Sequence, residues 1–325
     1  MDQRKKAIVQ LWIFRMLRRK RTYFSIAFVA LLAWGYEALG TRLDDAQILH
    51  RLGDNPFGLE ASVHYIESGG RKLRYVEIGY DSLPLIVFVH GAPSSSSFWE
   101  GLLRDTQLLR RAKLLAVDRP GYGYSGYGRA EVSVQKQAAL LAPILKKKRE
   151  AHQTIIVHGS SYGGTVSARL AMDFPSLVDG MLLQSSSNKP DAETTYWISY
   201  PTSHWSLRWL IPGALRVANA EKLNHAVQLR QMAEGWKRIT SAVIILHGLN
   251  DKLIFPENAP YAHTRLINAA FLKIKMATGS RHDLLWTQRD LLIHSLKELL
   301  TVTNNLHHGR SPYRTLLERG VARGI

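Results

Sequence analysis

A serine, an aspartate and a histidine stand in sequence contexts that can support acyl transfer. Ser161 lies in Gly159-Ser160-Ser161-Tyr162-Gly163, directly after the β-branched run from Thr154 to Val157 and directly before helix formers. That order predicts a sharp strand-to-helix turn that pushes the serine hydroxyl outwards, with both glycines leaving room where a Cβ would collide. The amide groups and positive dipole end of the following helix point back at the serine. A serine hydroxyl is a poor nucleophile at neutral pH. It needs an imidazole to take its proton during attack and a carboxylate to hold the imidazole's tautomer and stabilise the imidazolium. Asp251, in His247-Gly248-Leu249-Asn250-Asp251, and His282, in Gly279-Ser280-Arg281-His282, fit those roles, because each follows a late apolar run. Asp191 and Asp283 stay open as alternatives to Asp251. His90 and His247 read as structural loop histidines, because the base must follow the last strand, and His158 is expected to pack rather than react.

The elements that must position these groups alternate along the chain. Val63 to Ile66 and Leu73 to Ile78 are short β-type runs around Ser68-Gly69-Gly70, which reads as a hairpin. Leu85 to Val89 is apolar on both faces and predicts a central, doubly covered strand. Leu114 to Val117, a helix from Ser133 to about Lys148, the Ser161 strand with its helix, and Met181 to Gln184 continue the alternation. It resumes with Ala242 to Leu246, a helix near Ala259 to Ile267, Phe271 to Met276 and a closing helix from about Gln288 to Thr303. This pattern predicts a mostly parallel sheet with helices on both faces, whose ligands bind at the carboxyl ends of the strands. Between Ser185 and about Ile239 the rhythm breaks, and four of the eight tryptophans fall there (Trp197, Trp205, Trp209, Trp236). An insertion of this length predicts a helical cap, its aromatic residues either lining a substrate pocket or forming the cap's own small core.

Hydrophobic content of 46% with 21% charged residues describes a globular protein with a sizeable core. The net charge of +17 raises nucleic acid as a partner, but residues 1–21 carry eight Lys/Arg against Asp2 and residues 304–325 carry four Arg against Glu318. The remainder is spread thinly and no basic-aromatic stripe occurs, so no nucleic-acid partner is expected. The absence of cysteine excludes disulfides and thiolate chemistry without naming a compartment. Residues 1–21 read as a basic leader with Ile8, Leu11, Trp12 and Met16 at near-helical spacing, and residues 22–40 as a transmembrane anchor, with a cleaved signal peptide as the rival. The acidic bias of residues 37–60 then places the N-terminus in the cytoplasm and the folded domain outside it, with membrane lipids contacting the N-terminal segment. Residues 41–60 read as a connector and 304–325 as a basic mobile tail. The His307-His308 pair lacks further ligands at metal spacing, so no metal site is expected.

Five segments in order carry a resemblance. They are His90-Gly91-Ala92-Pro93 with Trp99 downstream, Asp118-Arg119-Pro120-Gly121-Tyr122-Gly123, the Ser161 pentapeptide, and the Asp251 and His282 segments. Across residues 61–303 the chain resembles the α/β-hydrolase superfamily, in particular its serine-nucleophile, esterase- or lipase-like members that carry a cap. The resemblance implies an α/β-hydrolase fold with the cap inserted at about 185–239. It also implies Ser161 as nucleophile, His282 as general base and acid, Asp251 as its orienter, and an oxyanion hole made by the backbone amides of Ala92 and Tyr162. No cofactor is implied. Asp118 is expected to tie down its own loop through Arg119. Family members that open epoxides or displace halide carry an aspartate where Ser161 stands, so their carboxylate attack is disfavoured, and the Ala92 loop lacks the second glycine typical of proline-releasing peptidases. The expected function is hydrolysis of a lipidic or apolar carboxylic ester through an acyl-enzyme. An acyltransferase or peptidase using the same triad, or an inactive membrane-anchored binding protein on the same fold, are the alternatives.

Overall fold

A computed structural model describes residues 20–29, 31, 35, 42–197, 199–204 and 211–310. Its strands are β1 (Ser62–Ser68), β2 (Arg71–Ile78), β3 (Leu85–Val89), β4 (Lys113–Val117), β5 (Ile155–Ser160), β6 (Gly180–Gln184), β7 (Ala242–Gly248) and β8 (Phe271–Ala277). They form one eight-stranded sheet in the order β1-β2-β4-β3-β5-β6-β7-β8. The β1–β2 hairpin is antiparallel, β2 joins β4 antiparallel, and every later pairing is parallel. The longer helices are α1 (Asp45–Gly53), α2 (Val134–Arg149), α3 (Tyr162–Asp173), α4 (Gly213–Met232) and α5 (Arg289–His307).

The two faces of the sheet are covered separately, as apolar runs without alternation require. In β3, Leu85, Val87 and Val89 pack with residues of α2 and α3. Ile86 and Phe88, pointing the other way, pack with residues of α1 and α5. Each such buried aliphatic or aromatic side chain contributes about 1.5–3 kcal/mol of transfer free energy. At the open edge, Lys273 and Lys275 of β8 reach Glu298 of α5 at 2.7 and 2.8 Å.

Three boundaries differ from the sequence reading. The connector holds α1, closed by a reciprocal cap in which Gln47 N donates to the Asp44 carboxylate at 2.8 Å and Asp44 N donates to Gln47 Oε1 at 3.0 Å. Ile48 and Leu52 join the core, while Arg74 pairs with Asp45 and Arg51 with Glu100, so this stretch is part of the domain. The helix expected near Ala259 to Ile267 is shorter, Asn258–His263. The closing helix α5 continues to His307, whose Nε2 lies 3.4 Å from Asp179, so residues 304–307 belong to the fold rather than to a tail.

Residues 311–325 lie outside the described residues, as do residues 1–19 of the leader and much of the expected anchor. Residues 20–29 are helical, with Tyr23, Phe24, Phe28 and Val29 exposed. Among the described residues no helix is long and apolar enough to cross a membrane.

Candidate active site

Ser161 sits at the junction of β5 and α3 with φ 54° and ψ −126°, a conformation that side-chain-bearing residues rarely adopt. The surroundings hold it there. Ser161 N donates to Gln184 O at 2.9 Å, and Gly164 N donates back to Ser161 O at 3.0 Å. Its hydroxyl makes no cap bond to α3. A Cβ at Gly163 would run into the carbonyl oxygens of Val89 and His90, and one at Gly159 would lie 2.6 Å from Gly163 O. Gly163→Ala is therefore expected to cost about 3 kcal/mol or more, read as a lower urea midpoint, because its neighbours are backbone atoms that cannot step aside.

His282 and Asp251 come together from the two loops that follow β8 and β7. His282 Nδ1 donates to Asp251 Oδ2 at 2.7 Å, while Asp251 Oδ1 accepts from Leu253 N and Ile254 N, both at 2.9 Å. Burial raises the Asp251 pKa, but the His282 bond and the two amides outweigh it and hold the carboxyl below its ordinary range. Gly248 lets the two loops meet, since a Cβ there would collide with the carbonyl oxygens of Ser280 and Arg281. His282 bonds Asp251 rather than either alternative: Asp191 pairs with Arg230, and Asp283 precedes the short helix Leu284–Thr287 without a side-chain cap bond to it. Among the described residues no hydrogen bond joins Ser161 to His282, and such bonds are commonly long in ligand-free enzymes.

The other histidines sit where packing needs them. His158 is buried against Phe88 and Trp99, bonds Gln184 at 2.9 Å, and burial pushes its pKa down to about 3. His247 donates from Nε2 to Ile254 O at 3.0 Å. His90 Nε2 accepts from Arg119 N at 3.0 Å, so its proton is on Nδ1, which donates to Gly91 O at 2.7 Å. Burial and the adjacent Arg119 keep that ring neutral.

The loop after β3 lies directly on Ser161, for a Cβ built on Gly91 would be 3.0 Å from Ser161 Cβ. Ala92, Ser161 and Tyr162 together border a cavity of about 640 Å³. Its wall is completed by the segment between β6 and β7, including Tyr196, Leu215, Ala218 and Lys222. The aromatic residues of that segment have separate fates. Tyr196 lines the cavity, Trp236 is buried in the main core beside α3, and Trp197 is exposed. Trp205 and Trp209 lie outside the described residues.

Residues 86–293 match the sequence model described as the alpha/beta hydrolase family. The chain belongs to that family. An uncharacterised Mycobacterium tuberculosis protein is 34% identical to this hydrolase over 103 residues, 32% of this chain and 29% of that one. Caenorhabditis elegans Epoxide hydrolase 1 is 24% identical over 176 residues, 53% of this chain and 42% of its own length. The hydrolase thus spans less than half the length of these curated relatives. A solved structure of a membrane phospholipase A, a bacterial virulence factor, superposes with a TM-score of 0.61 at 17% identity, covering 93% of this chain and 99% of that one. At that identity the likeness concerns fold alone.

One part of the hydrolase's site was invisible in the sequence. Asp118 does secure its loop, but through Ser96 N, Tyr124 N and Arg74, not through Arg119. Arg119 instead pairs, fully buried, with Glu221 of α4 at 2.7 Å. Gln137 and Tyr122 also bond Glu221, at 2.8 and 2.6 Å. A buried ion pair survives only when its remaining donors and acceptors are satisfied in this way. Nothing local in the sequence marks Glu221 as the partner of a residue 102 positions earlier.

Proposed function

We propose that this hydrolase cleaves a carboxylic ester with an apolar acyl or alcohol part, through an acyl-enzyme on Ser161. The observation that carries this reading is a strained serine opening onto a largely apolar cavity at the sheet edge where the His282–Asp251 pair also stands. Ser161 Oγ attacks the ester carbonyl as His282 Nε2 takes its proton. The negative charge that develops on the carbonyl oxygen is met by the amides of Ala92 and Tyr162. Such donors typically contribute about 3 kcal/mol each to transition-state stabilisation. The tetrahedral species collapses, His282 returns its proton to the departing alkoxide, and water, activated by the same imidazole, releases the acid. Asp251 holds the Nδ1–H tautomer that leaves Nε2 free to do this.

Two features support a lipidic substrate. Ser25, Ile26 and Val29 of the N-terminal helical segment border the same cavity as Ser161. Tyr196, Trp197 and Tyr200 are exposed on the β6–β7 insertion, which would serve as a cap over the strand ends. With the basic leader, these features favour a membrane-anchored protein with a cytoplasmic N-terminus and the folded domain outside, drawing its ester from the lipid phase. A panel of p-nitrophenyl and glyceryl esters of increasing acyl length, run on purified full chain in detergent, checks the reading. Turnover is expected to rise from acetate to medium-chain esters, and hydrolysis of epoxides with no ester turnover would overturn it.

A further inference from the structure

We propose that Arg119, clamped by Glu221 of α4, is the positioning residue of the oxyanion hole: it sets the plane of the Gly91–Ala92 peptide so that the Ala92 N–H faces the reacting carbonyl oxygen. The inference rests on Ser161 being the nucleophile. Arg119 Nη2 donates to Gly91 O at 3.1 Å and Arg119 Nε donates to His90 O at 2.8 Å. His90 Nδ1 adds a second donor to Gly91 O at 2.7 Å. The Gly91–Ala92 peptide, which is not an X–Pro bond, is planar and trans, so its C=O and N–H point in opposite directions. Donors that capture the carbonyl on one side therefore aim the amide to the other, where Ala92 borders the cavity beside Ser161.

A cationic donor on the carbonyl also polarises the peptide and makes its N–H a stronger donor. The second oxyanion residue is gripped by the same group, because the Arg119 guanidinium lies 4.7 Å from the centre of the Tyr162 ring. That ring packs, tilted by 34°, against His225 of α4 with ring centres 4.5 Å apart. The clamp and the substrate wall share one helix: Leu215, Ala218 and Lys222 of α4 face the cavity, while Glu221 turns inward to Arg119. A bidentate guanidinium is required for this, since one ammonium cannot reach Gly91 O and both Glu221 oxygens at once.

The test uses Glu221→Gln, Arg119→Lys and Tyr122→Phe in the full chain, with far-UV circular dichroism to select folded variants. Each is measured for kcat and KM on a p-nitrophenyl ester and for the inhibition constant of an alkyl trifluoromethyl ketone, whose hemiketal carries the oxyanion. Glu221→Gln and Arg119→Lys should lose about 10-fold in kcat with KM nearly unchanged, and lose trifluoromethyl ketone affinity by the same factor. Tyr122→Phe, which takes one bond from Glu221 but leaves the guanidinium donors to Gly91 O and His90 O in place, should lose less in both kcat and ketone affinity than either of the other two. A purely structural role would lower stability without moving ketone affinity, and that result overturns the proposal, as does a rise in KM alone. If Arg119→Lys does not fold, Glu221→Gln decides. Wild type that neither turns over esters nor reacts with a fluorophosphonate sinks the Ser161 reading and this inference together. Labelled wild type with unaffected variants sinks only the inference.

Discussion

Ser161→Ala should lower kcat for an activated ester by about 10⁵- to 10⁶-fold and abolish fluorophosphonate labelling, while leaving the fold intact. The size follows from the loss of the proposed covalent route: without the hydroxyl, only the proposed oxyanion donors and substrate binding would act on a direct attack by water. The fold should tolerate the change because Ser161 is held by backbone bonds to Gln184, Gly164 and Ser187, none of which uses its side chain. Alanine can occupy the same positive φ at a cost no greater than that of serine, so the thermal midpoint should move by only a degree or two. Full-length protein that stays labelled after this substitution would mean that another residue is the nucleophile.

Asp251→Asn should lower kcat by about 10⁴-fold at neutral pH with little effect on KM. Asparagine preserves the shape but offers an NH₂ group where His282 now finds an acceptor, and the imidazole is driven to the tautomer with its proton on Nε2. In the proposed reaction that proton blocks the atom that accepts from Ser161. The same substitution should change how stability depends on acid. The Asp251 carboxyl titrates below its ordinary value of 3.8 in the folded protein. Its ionised form therefore stabilises the fold at all pH above that ordinary value, and the contribution is lost as pH falls through the ordinary and then the folded value. Wild type should show a drop in melting temperature below about pH 4 that is shallower in Asp251→Asn, measured by thermal unfolding from pH 6 to pH 3.

What the sequence made legible was local. The elbow could be read because its rules act within five residues: a positive φ at position 161, glycines where Cβ atoms would strike backbone, a strand before and a helix after. Asp251 and His282 could be read because parallel strands deliver their following loops to one edge, and those loops meet as expected. The Arg119–Glu221 clamp could not, because its partners are joined by the docking of an insertion onto the sheet, and the loop after β4 offers Arg119 an adjacent aspartate, Asp118, as a local partner. Asp118 found Arg74 instead because β2 runs beside β4. Helix α1 leaves little trace in the sequence because only Ile48 and Leu52 of its nine residues are buried, too little periodicity to stand out. The aromatic richness of the insertion misled for a related reason. Trp236 packs into the main core, so composition marked the segment without revealing that one end of it belongs to the domain beneath.

The lysines of β8 bear on how many copies of the protein can share a surface. An uncapped edge strand is a template on which a second chain can add its own strand. Lys273 and Lys275 sit two residues apart on one face of that edge, and Glu298 holds them in place. A sheet extended from β8 would lay a neighbour's apolar strand beside two ammonium groups and strip their water. Burying those ammonium groups under an added strand would carry a desolvation cost, which disfavours sheet extension at this edge.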